Sequence, residues 1–203
     1  MSLTPTAAAA LRAELLARVA VDQKARKELP ADPTREQVTA LMSIDRGNAA
    51  RMRQIITIHG WPGHAMVGED GSRAAWLLVQ HAPDDLQEQA LALLSDAVRR
   101  GDASPANLAY LTDRVRMHRG ELQLYGTQYR YTKDTGLQLH RVADPDLLDE
   151  RRASVGLGPH AESDAGMRAF YARKDDADRA GAEYTPLRPR GSAPCDRSVT
   201  RRD

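Results

Sequence analysis

Apolar residues recur every three or four positions in the first part of the chain, a spacing that predicts amphipathic helices. A stripe that begins at Leu11 predicts a helix over about residues 6–28. Asp32 is a good N-cap for a second helix, whose stripe covers residues 38–59. This stripe predicts either one long helix or two shorter ones that meet near Gly47.

Three further helices are expected between residues 66 and 120. Residues 66–72 contain glycine and are predicted to form a loop, after which the chain is apolar up to His81. Gly101 and Gly120 follow the last two of these helices, as glycine often does at a helix end. The predicted caps at their starts are Ser72, Asp84 or Asp85, and Ser104.

The apolar period then changes from helical to alternating, which predicts one β-hairpin over about residues 121–142. Residues 122–125 and 128–131 alternate on either side of Gly126, where a bulge is expected. Residues 137–140 are predicted to return as the second strand. Because an isolated hairpin is at best marginally stable, this one should pack against the helices.

The predicted fold class is therefore mainly α, a single helical domain with about six to seven helices and one β-hairpin packed on it. We expect this domain to cover residues 6–174, with its last two helices near residues 144–155 and 161–174. Residues 175–203 contain many prolines, glycines, serines and mixed charges without apolar periodicity, and are expected to form a disordered tail.

Charge and composition exclude several classes of function. The chain of 203 residues has a formal net charge of +1, so we expect no binding to nucleic acid or to a membrane surface. The chain has no run of about 18 apolar residues, so no transmembrane helix is expected. The first residues lack the basic segment of a signal peptide, and the lone Cys195 excludes an internal disulfide. A cytoplasmic protein is expected.

Several polar residues lie on helix stripes where further apolar residues would be expected. They are Asp22, Gln23 and Arg26 on the first helix, Asp45 and His59 on the second, and Gln80 and His81 on the third. A buried polar group without a partner costs about 1–3 kcal/mol, so such positions need a structural or functional reason. If the helices pack together, these side chains converge on one cavity.

A structural explanation competes with a functional one. Asp22 and Arg26 have the spacing of an ion pair along one helix, and Asp45 has arginines close to it in sequence. A single histidine on an apolar face is more often a satisfied core residue than a catalyst. The combination of His59, His81 and several carboxylates makes a reactive site as plausible as a structural network.

Two other segments carry candidate chemistry. Asp113 and Arg114 lie beside the stripe of the fifth helix, where they form either an exposed ion pair or part of a site. Gln123, Tyr125 and Gln128 either bind a polar ligand or belong to an ordinary edge strand. No metal site is expected, because the histidine spacing matches no known ligand motif.

Five segments, in this order and with similar gaps, resemble the motifs of a bacterial family catalogued as domain of unknown function 6624. They are residues 59–62, 67–68, 75–82, 111–114 and 123–128. Residues 22–26 upstream and 150–157 downstream are also similar, so the resemblance covers about residues 11–157. It implies no reaction, cofactor or fold. The matching positions are Asp22, Gln23, Arg26, His59, Trp61, Gln80, His81, Asp113, Arg114, Gln123, Tyr125 and Gln128.

These residue types favour a cofactor-free acid/base enzyme that acts on a small polar molecule by hydrolysis, dehydration or cyclisation, as in the tailoring of specialised metabolites. His59 and His81 would be base and acid, with Asp113, Asp22 or Asp45 orienting an imidazole. The remaining candidates would bind the substrate: Gln23, Arg26, Trp61, Gln80, Arg114, Gln123, Tyr125 and Gln128, together with Asp22 and Asp45. The alternatives are a non-catalytic binding protein of regulatory or immunity type, and a metalloprotein with histidine ligands.

Overall fold

The computed structural model of the protein describes residues 3–30, 33–132 and 135–180. Its fold is mainly α with one antiparallel hairpin, as predicted. The elements are α1 (Pro5–Glu28), α2 (Arg35–His59), α3 (His64–Gln80), α4 (Asp84–Arg99), α5 (Pro105–His118), β1 (Tyr129–Thr132), β2 (Gly136–Leu139), a 3-10 turn (Pro145–Leu147), α6 (Leu148–Ser154) and α7 (His160–Ala180). The chain divides into two compact units, residues 1–111 and 112–203.

The first two helices begin at threonine caps. The Thr4 hydroxyl accepts a hydrogen bond from the Ala7 backbone at the start of α1. Thr34 and Gln37 form a capping box at the start of α2, each side chain accepting from the other's backbone N–H. The expected cap at Asp32 lies outside the described residues. Of the two possibilities for the second stripe, the structure shows one helix that continues through Gly47.

The loop predicted over residues 66–72 is wrong, because this segment belongs to α3. The helix begins at His64 and is interrupted only at Gly68, whose φ is +73°. Its N-terminus is capped by Asp102, which accepts from the Ala65 N–H at 2.7 Å through its carboxylate. The Gly63 backbone approaches Asp102 so closely that a Cβ there would lie 2.1 Å from a carboxylate oxygen. A partner this distant in sequence leaves no local signal.

The first unit has its core around α3, which packs against α1, α2 and α4. Residues 74–80 of α3 are all buried, so this helix is apolar on every side rather than on one stripe. Large buried side chains from the surrounding helices complete the core: Leu15, Met52, Ile55, Leu86, Leu94 and Leu111. No helix within the described ranges is both long enough and apolar enough to cross a membrane.

The second unit contains the hairpin, whose register pairs Tyr129 with Leu139. The hairpin packs on α7 through a small core of Tyr129, Met167 and Tyr171, which confirms the expected support by a helix. The strand predicted over residues 122–125 is wrong. This segment is a loop, in which only Gln123 makes an isolated bridge, to Val142.

At the C-terminal side, α7 continues to Ala180, beyond the predicted helix end at residue 174. The rest of the expected disordered tail, residues 181–203, lies outside the part of the chain that the structure describes.

Candidate functional site

A largely buried group of ionisable side chains links α1, α2 and the C-terminal end of α3. We call it the Asp22 cluster, and its members are Asp22, Arg26, Asp45 and His81. Asp22 and Arg26 lie one turn apart on α1 and therefore share a face of that helix. His81 is the C-cap residue of α3. The sequence placed all four on apolar stripes, and the structure brings them together.

Asp22 is the centre of this cluster and is fully buried. Its two carboxylate oxygens lie 3.2 and 3.0 Å from Nδ1 of His81. It also accepts from Nε of Arg26 at 3.2 Å and from Nε2 of Gln23 at 2.9 Å. Burial raises the pKa of Asp22, but the hydrogen bond from His81 and the charges of His81 and Arg26 outweigh this and hold that pKa below its usual value. Asp22 is therefore an ionised acceptor.

The bond to Asp22 decides which nitrogen of His81 carries a proton. An ionised carboxylate only accepts hydrogen bonds, so Nδ1 of His81 must be the donor. The other ring nitrogen, Nε2, makes no hydrogen bond to any described residue. In the neutral imidazole this leaves the lone pair on Nε2 available as a base.

Asp45 is the more exposed carboxylate of the cluster. Its side chain keeps 22% of its surface accessible, compared with none for Asp22. Arg26 binds Asp45 with one terminal nitrogen while its Nε binds Asp22, so a single guanidinium joins the two carboxylates. Burial raises the pKa of Asp45, and the charges of Arg26 and His81 offset this only in part.

Three members of the cluster could together hold a metal ion. One ligand atom from each of Asp22, Asp45 and His81 lies within 4.8 Å of the others. Arg26, however, already contacts both carboxylates. A cation would have to compete with this guanidinium for the same oxygens, which makes the set a better ion-pair network than a metal centre.

The structure does not bring His59 to this cluster. His59 and Asp45 both lie on α2, where about 21 Å of helix rise separates them at about 1.5 Å per residue. His81 lies beside Asp45 and at the opposite end of α3 from the connection that follows His59. Proton transfer needs hydrogen-bond reach or one bridging water, so the two histidines do not form the expected acid/base pair.

Two of the expected substrate-binding residues in the first unit are buried, and each has an N–H donor without an acceptor among the described residues. Gln80 is 4% exposed and Trp61 is 5% exposed. Among the described residues, neither Nε2 of Gln80 nor Nε1 of Trp61 has a hydrogen-bond partner. The same holds for Nε1 of Trp76, which sequence reasoning missed because tryptophan on an apolar run is ordinary core. Only the missing partner distinguishes Trp76 from a packing residue.

Asp113, in the second unit, is bonded to the chain around it, and these contacts do not favour the catalytic role expected for it. It is fully buried and accepts from the backbone N–H groups of Leu124, Tyr125 and Thr127 at 2.6–3.1 Å. It also accepts from the Thr127 hydroxyl at 2.9 Å. Burial raises the pKa of Asp113, although these hydrogen bonds lower it in part. Both oxygens are occupied by the loop over residues 124–127, which we call the Asp113 loop, so none is left to orient an imidazole.

The other polar candidates of this unit also stabilise the chain around the loop. Nε2 of Gln123 donates to the carbonyls of Gln128 at 3.2 Å and His140 at 2.7 Å, and its Oε1 accepts from the Gln128 N–H. Tyr125 takes part through its backbone, donating to Asp113 and accepting from Arg152. Nε2 of Gln128 donates to the Thr127 hydroxyl at 2.9 Å. These bonds hold the base of the hairpin, so the amide groups of Gln123 and Gln128 that were expected to bind a ligand are occupied by the fold itself.

Three arginines complete the second unit. Arg114 is 8% exposed, and its Nε has no partner in the described part of the chain. Arg151 donates to the carbonyl of Leu124, and Arg152 to those of Tyr125 and Gly158. Sequence reasoning did not assign a role to Arg151 or Arg152, since paired arginines near a helix end are usually exposed.

Comparison with known proteins identifies one relationship. The model of a family described as a family of unknown function (DUF6624) matches residues 9–174. No curated protein matches the chain. No solved structure matches it either. The matched range contains every member of the Asp22 cluster and of the Asp113 loop.

Proposed function

We propose that this chain, which belongs to the DUF6624 family, is an enzyme in which His81 transfers protons to and from a small polar substrate. The observation that supports this is the pairing of Nδ1 of His81 with the buried Asp22, which leaves Nε2 without a hydrogen bond. A carboxylate that orients an imidazole in this way is a recurring arrangement in acid/base catalysis.

The cluster supports both states of the histidine during a reaction. Neutral His81 accepts a proton from the substrate or from water at Nε2. The imidazolium that results faces Asp22 and lies at the C-terminal end of α3, where the helix dipole favours positive charge. His81 can then return the proton to a leaving group, so one histidine suffices for hydrolysis, dehydration or cyclisation.

Arg26 and Asp45 balance the charge around His81. With His81 protonated, the cluster holds two positive and two negative side chains, so no net charge is buried. Asp45 is the most accessible of the carboxylates and lies where a polar substrate could approach. These two residues therefore position and neutralise the site.

The tautomer of His81 can be measured without knowing the substrate. Nitrogen-15 NMR of the imidazole side chains distinguishes a proton on Nδ1 from a proton on Nε2. We expect neutral His81 to carry its proton on Nδ1 and to lose this preference in Asp22→Asn. A wild-type His81 protonated on Nε2 would contradict the proposed base.

Activity can be sought by mass spectrometry of a metabolite extract incubated with the protein. We expect masses that change with the wild type and stay unchanged with His81→Gln. His59→Gln is the matched control, because it changes a histidine at the far end of α2, and it should behave as the wild type. Equal activity of wild type and His81→Gln would overturn the proposal.

A metal site at Asp22, Asp45 and His81 is the second candidate, because their ligand atoms lie within 4.8 Å of one another. Metal analysis of purified protein decides between the two. We expect no metal near one equivalent in the wild type, and an increase in zinc binding in Arg26→Met, which frees both carboxylates. Zinc or iron near one equivalent in the wild type, lost on chelation, would favour the metalloprotein.

A further inference from the structure

Two buried N–H donors on α3 have no acceptor. They are Nε1 of Trp76 and Nε2 of Gln80, and neither has a partner among the residues that the structure describes. The two residues are 2% and 4% exposed. They are four positions apart on one helix, so their side chains lie on the same face, one turn from each other. Gln80 directly precedes His81, which places this pair at the same end of α3 as the Asp22 cluster.

Buried donors without a partner are rare in folded proteins, because each has given up its hydrogen bonds to water. The donor side of Gln87, in the same unit, shows how a structural glutamine behaves. Gln87 is 1% exposed, and its Nε2 donates to the carbonyls of Gln80 at 3.1 Å and Ala82 at 2.9 Å, while its Oε1 has no partner among the described residues. Packing alone would be served as well by methionine or leucine at position 80. The amide of Gln80 therefore calls for an acceptor from outside the chain.

We infer that Trp76 and Gln80 bind a carbonyl oxygen of the substrate on which His81 acts, an inference that rests on the proposed function. A carbonyl oxygen has two lone pairs and can accept from both donors. It is also neutral, whereas a carboxylate would bring a charge into a nearly dry position that offers only neutral donors. The substrate class is therefore an amide, ester, lactone or ketone.

The indole N–H of Trp76 provides a direct probe. The chain has two tryptophans, so its nitrogen-15 NMR spectrum has two indole signals, which Trp76→Phe assigns. Nε1 of Trp61 also lacks a partner in the described chain, but Trp61 precedes α3, at the opposite end of that helix from Gln80. We therefore expect N-methylacetamide to shift the Trp76 signal saturably and to leave the Trp61 signal in place. Gln80→Met should weaken this binding at least tenfold. No saturable shift of Trp76, equal shifts of both signals, or tighter binding of acetate than of N-methylacetamide would each overturn the inference.

Two variants separate this inference from the proposed function. His81→Gln should keep the N-methylacetamide shift, since it retains both donors, while it abolishes turnover in the metabolite extract. If the wild type turns over a metabolite but shows no shift, the inferred carbonyl site is wrong and the acid/base proposal stands. If the shift is present but His81→Gln remains active, the acid/base proposal is wrong and the carbonyl site stands.

Melting temperatures check that the loss of binding is not a loss of folding. Gln80→Met removes a donor that has no partner, so the melting temperature should stay the same or rise. Gln87→Met removes two hydrogen bonds to the end of α3, so it should melt lower. A large drop for Gln80→Met, equal to that of Gln87→Met, would mean that its amide has a structural partner and would overturn the inference.

Discussion

Asp22 and Asp113 are both fully buried aspartates, but their surroundings give them opposite roles. Asp22 accepts hydrogen bonds only from side chains, those of Gln23, Arg26 and His81. Asp113 accepts almost entirely from the backbone of a single loop. A carboxylate whose oxygens accept from backbone N–H groups fixes the conformation of a chain segment. A carboxylate paired with one imidazole nitrogen leaves the other ring nitrogen available for proton transfer.

The two regions also differ in what remains unsatisfied around them. Near the Asp113 loop, Arg151 and Arg152 bind carbonyls of the loop while Asp113 binds its N–H groups. At the end of α3, the histidine nitrogen and two N–H donors have no partner among the described residues. We therefore expect the Asp113 loop, which is paired apart from Nε of the neighbouring Arg114, to contribute to stability, and we propose binding at the end of α3. Such a division agrees with the tendency of functional sites to sacrifice stability.

The largest effect expected is that of Asp113→Asn on stability. If Oδ2 becomes the NH2 group, the N–H and the hydroxyl of Thr127 lose their acceptor, and if Oδ1 does, the N–H of Leu124 loses its acceptor. In either case the new NH2 group also faces N–H donors of the loop, so the free energy of unfolding should fall by about 3 kcal/mol. Urea denaturation measures this change.

Asp22→Asn is the contrasting variant. Its remaining oxygen still accepts a hydrogen bond and Arg26 keeps Asp45, so we expect a loss of about 1–2 kcal/mol, with proton-transfer activity reduced about a hundredfold or more. A larger stability loss for Asp22→Asn than for Asp113→Asn would contradict the roles assigned to these two aspartates.

A pair of glycine substitutions tests the same difference in the backbone. Gly126, in the Asp113 loop, has φ of +64°, and a Cβ there would lie 2.8 Å from the His160 ring. Gly126→Ala should therefore destabilise the protein by about 2 kcal/mol, through both strain and collision.

Gly47, within α2, has open space around the position of a Cβ. Gly47→Ala should stabilise the protein by about 0.5–1 kcal/mol, because alanine favours the helix. Thermal denaturation of both variants is the measurement. Similar changes in melting temperature for both would show that the Asp113 loop tolerates a side chain at position 126.

A small effect of similar size concerns pH. The hydrogen bond from Arg51 lowers the pKa of Glu14 to about 2, against burial and with help from Arg18. A lowered carboxyl pKa stabilises the fold above its unfolded value, and this contribution is lost as the pH falls from about 4.5 towards 2. Because Glu14 is partly exposed, the contribution is about 1 kcal/mol.

Glu14→Gln should therefore reduce the loss of stability between pH 5 and about 2, measured by urea denaturation at several pH values. Asp113 acts in the opposite direction, since burial raises its pKa and acid then favours the folded state. If the free energy of unfolding of Glu14→Gln falls between pH 5 and about 2 as much as that of the wild type, the ion pairs of Glu14 do not persist in solution.

Much of the helical architecture follows from short-range patterns. The apolar residues that predict α1, and the glycines that follow α4 and α5, lie in or directly beside the helices that they predict. The same stripes identified Asp22, Arg26, Asp45 and His81, because a polar residue on an apolar face is visible in sequence alone. The start of α3 was missed because its cap, Asp102, comes from elsewhere in the chain. The loop over residues 122–125 was mistaken for a strand because Asp113 takes the N–H groups that a strand would pair.

By itself, then, the sequence determined the helices, the hairpin and the polar positions that need an explanation, because periodicity is a local property of the chain. Only the tertiary structure decided what each polar residue does. It paired His81 with Asp22, separated His59 from Asp45 by just over half the length of α2, and bonded the Asp113 carboxylate to backbone N–H groups. A hydrogen bond depends on distances between atoms of different elements, and those distances exist only once the helices have packed.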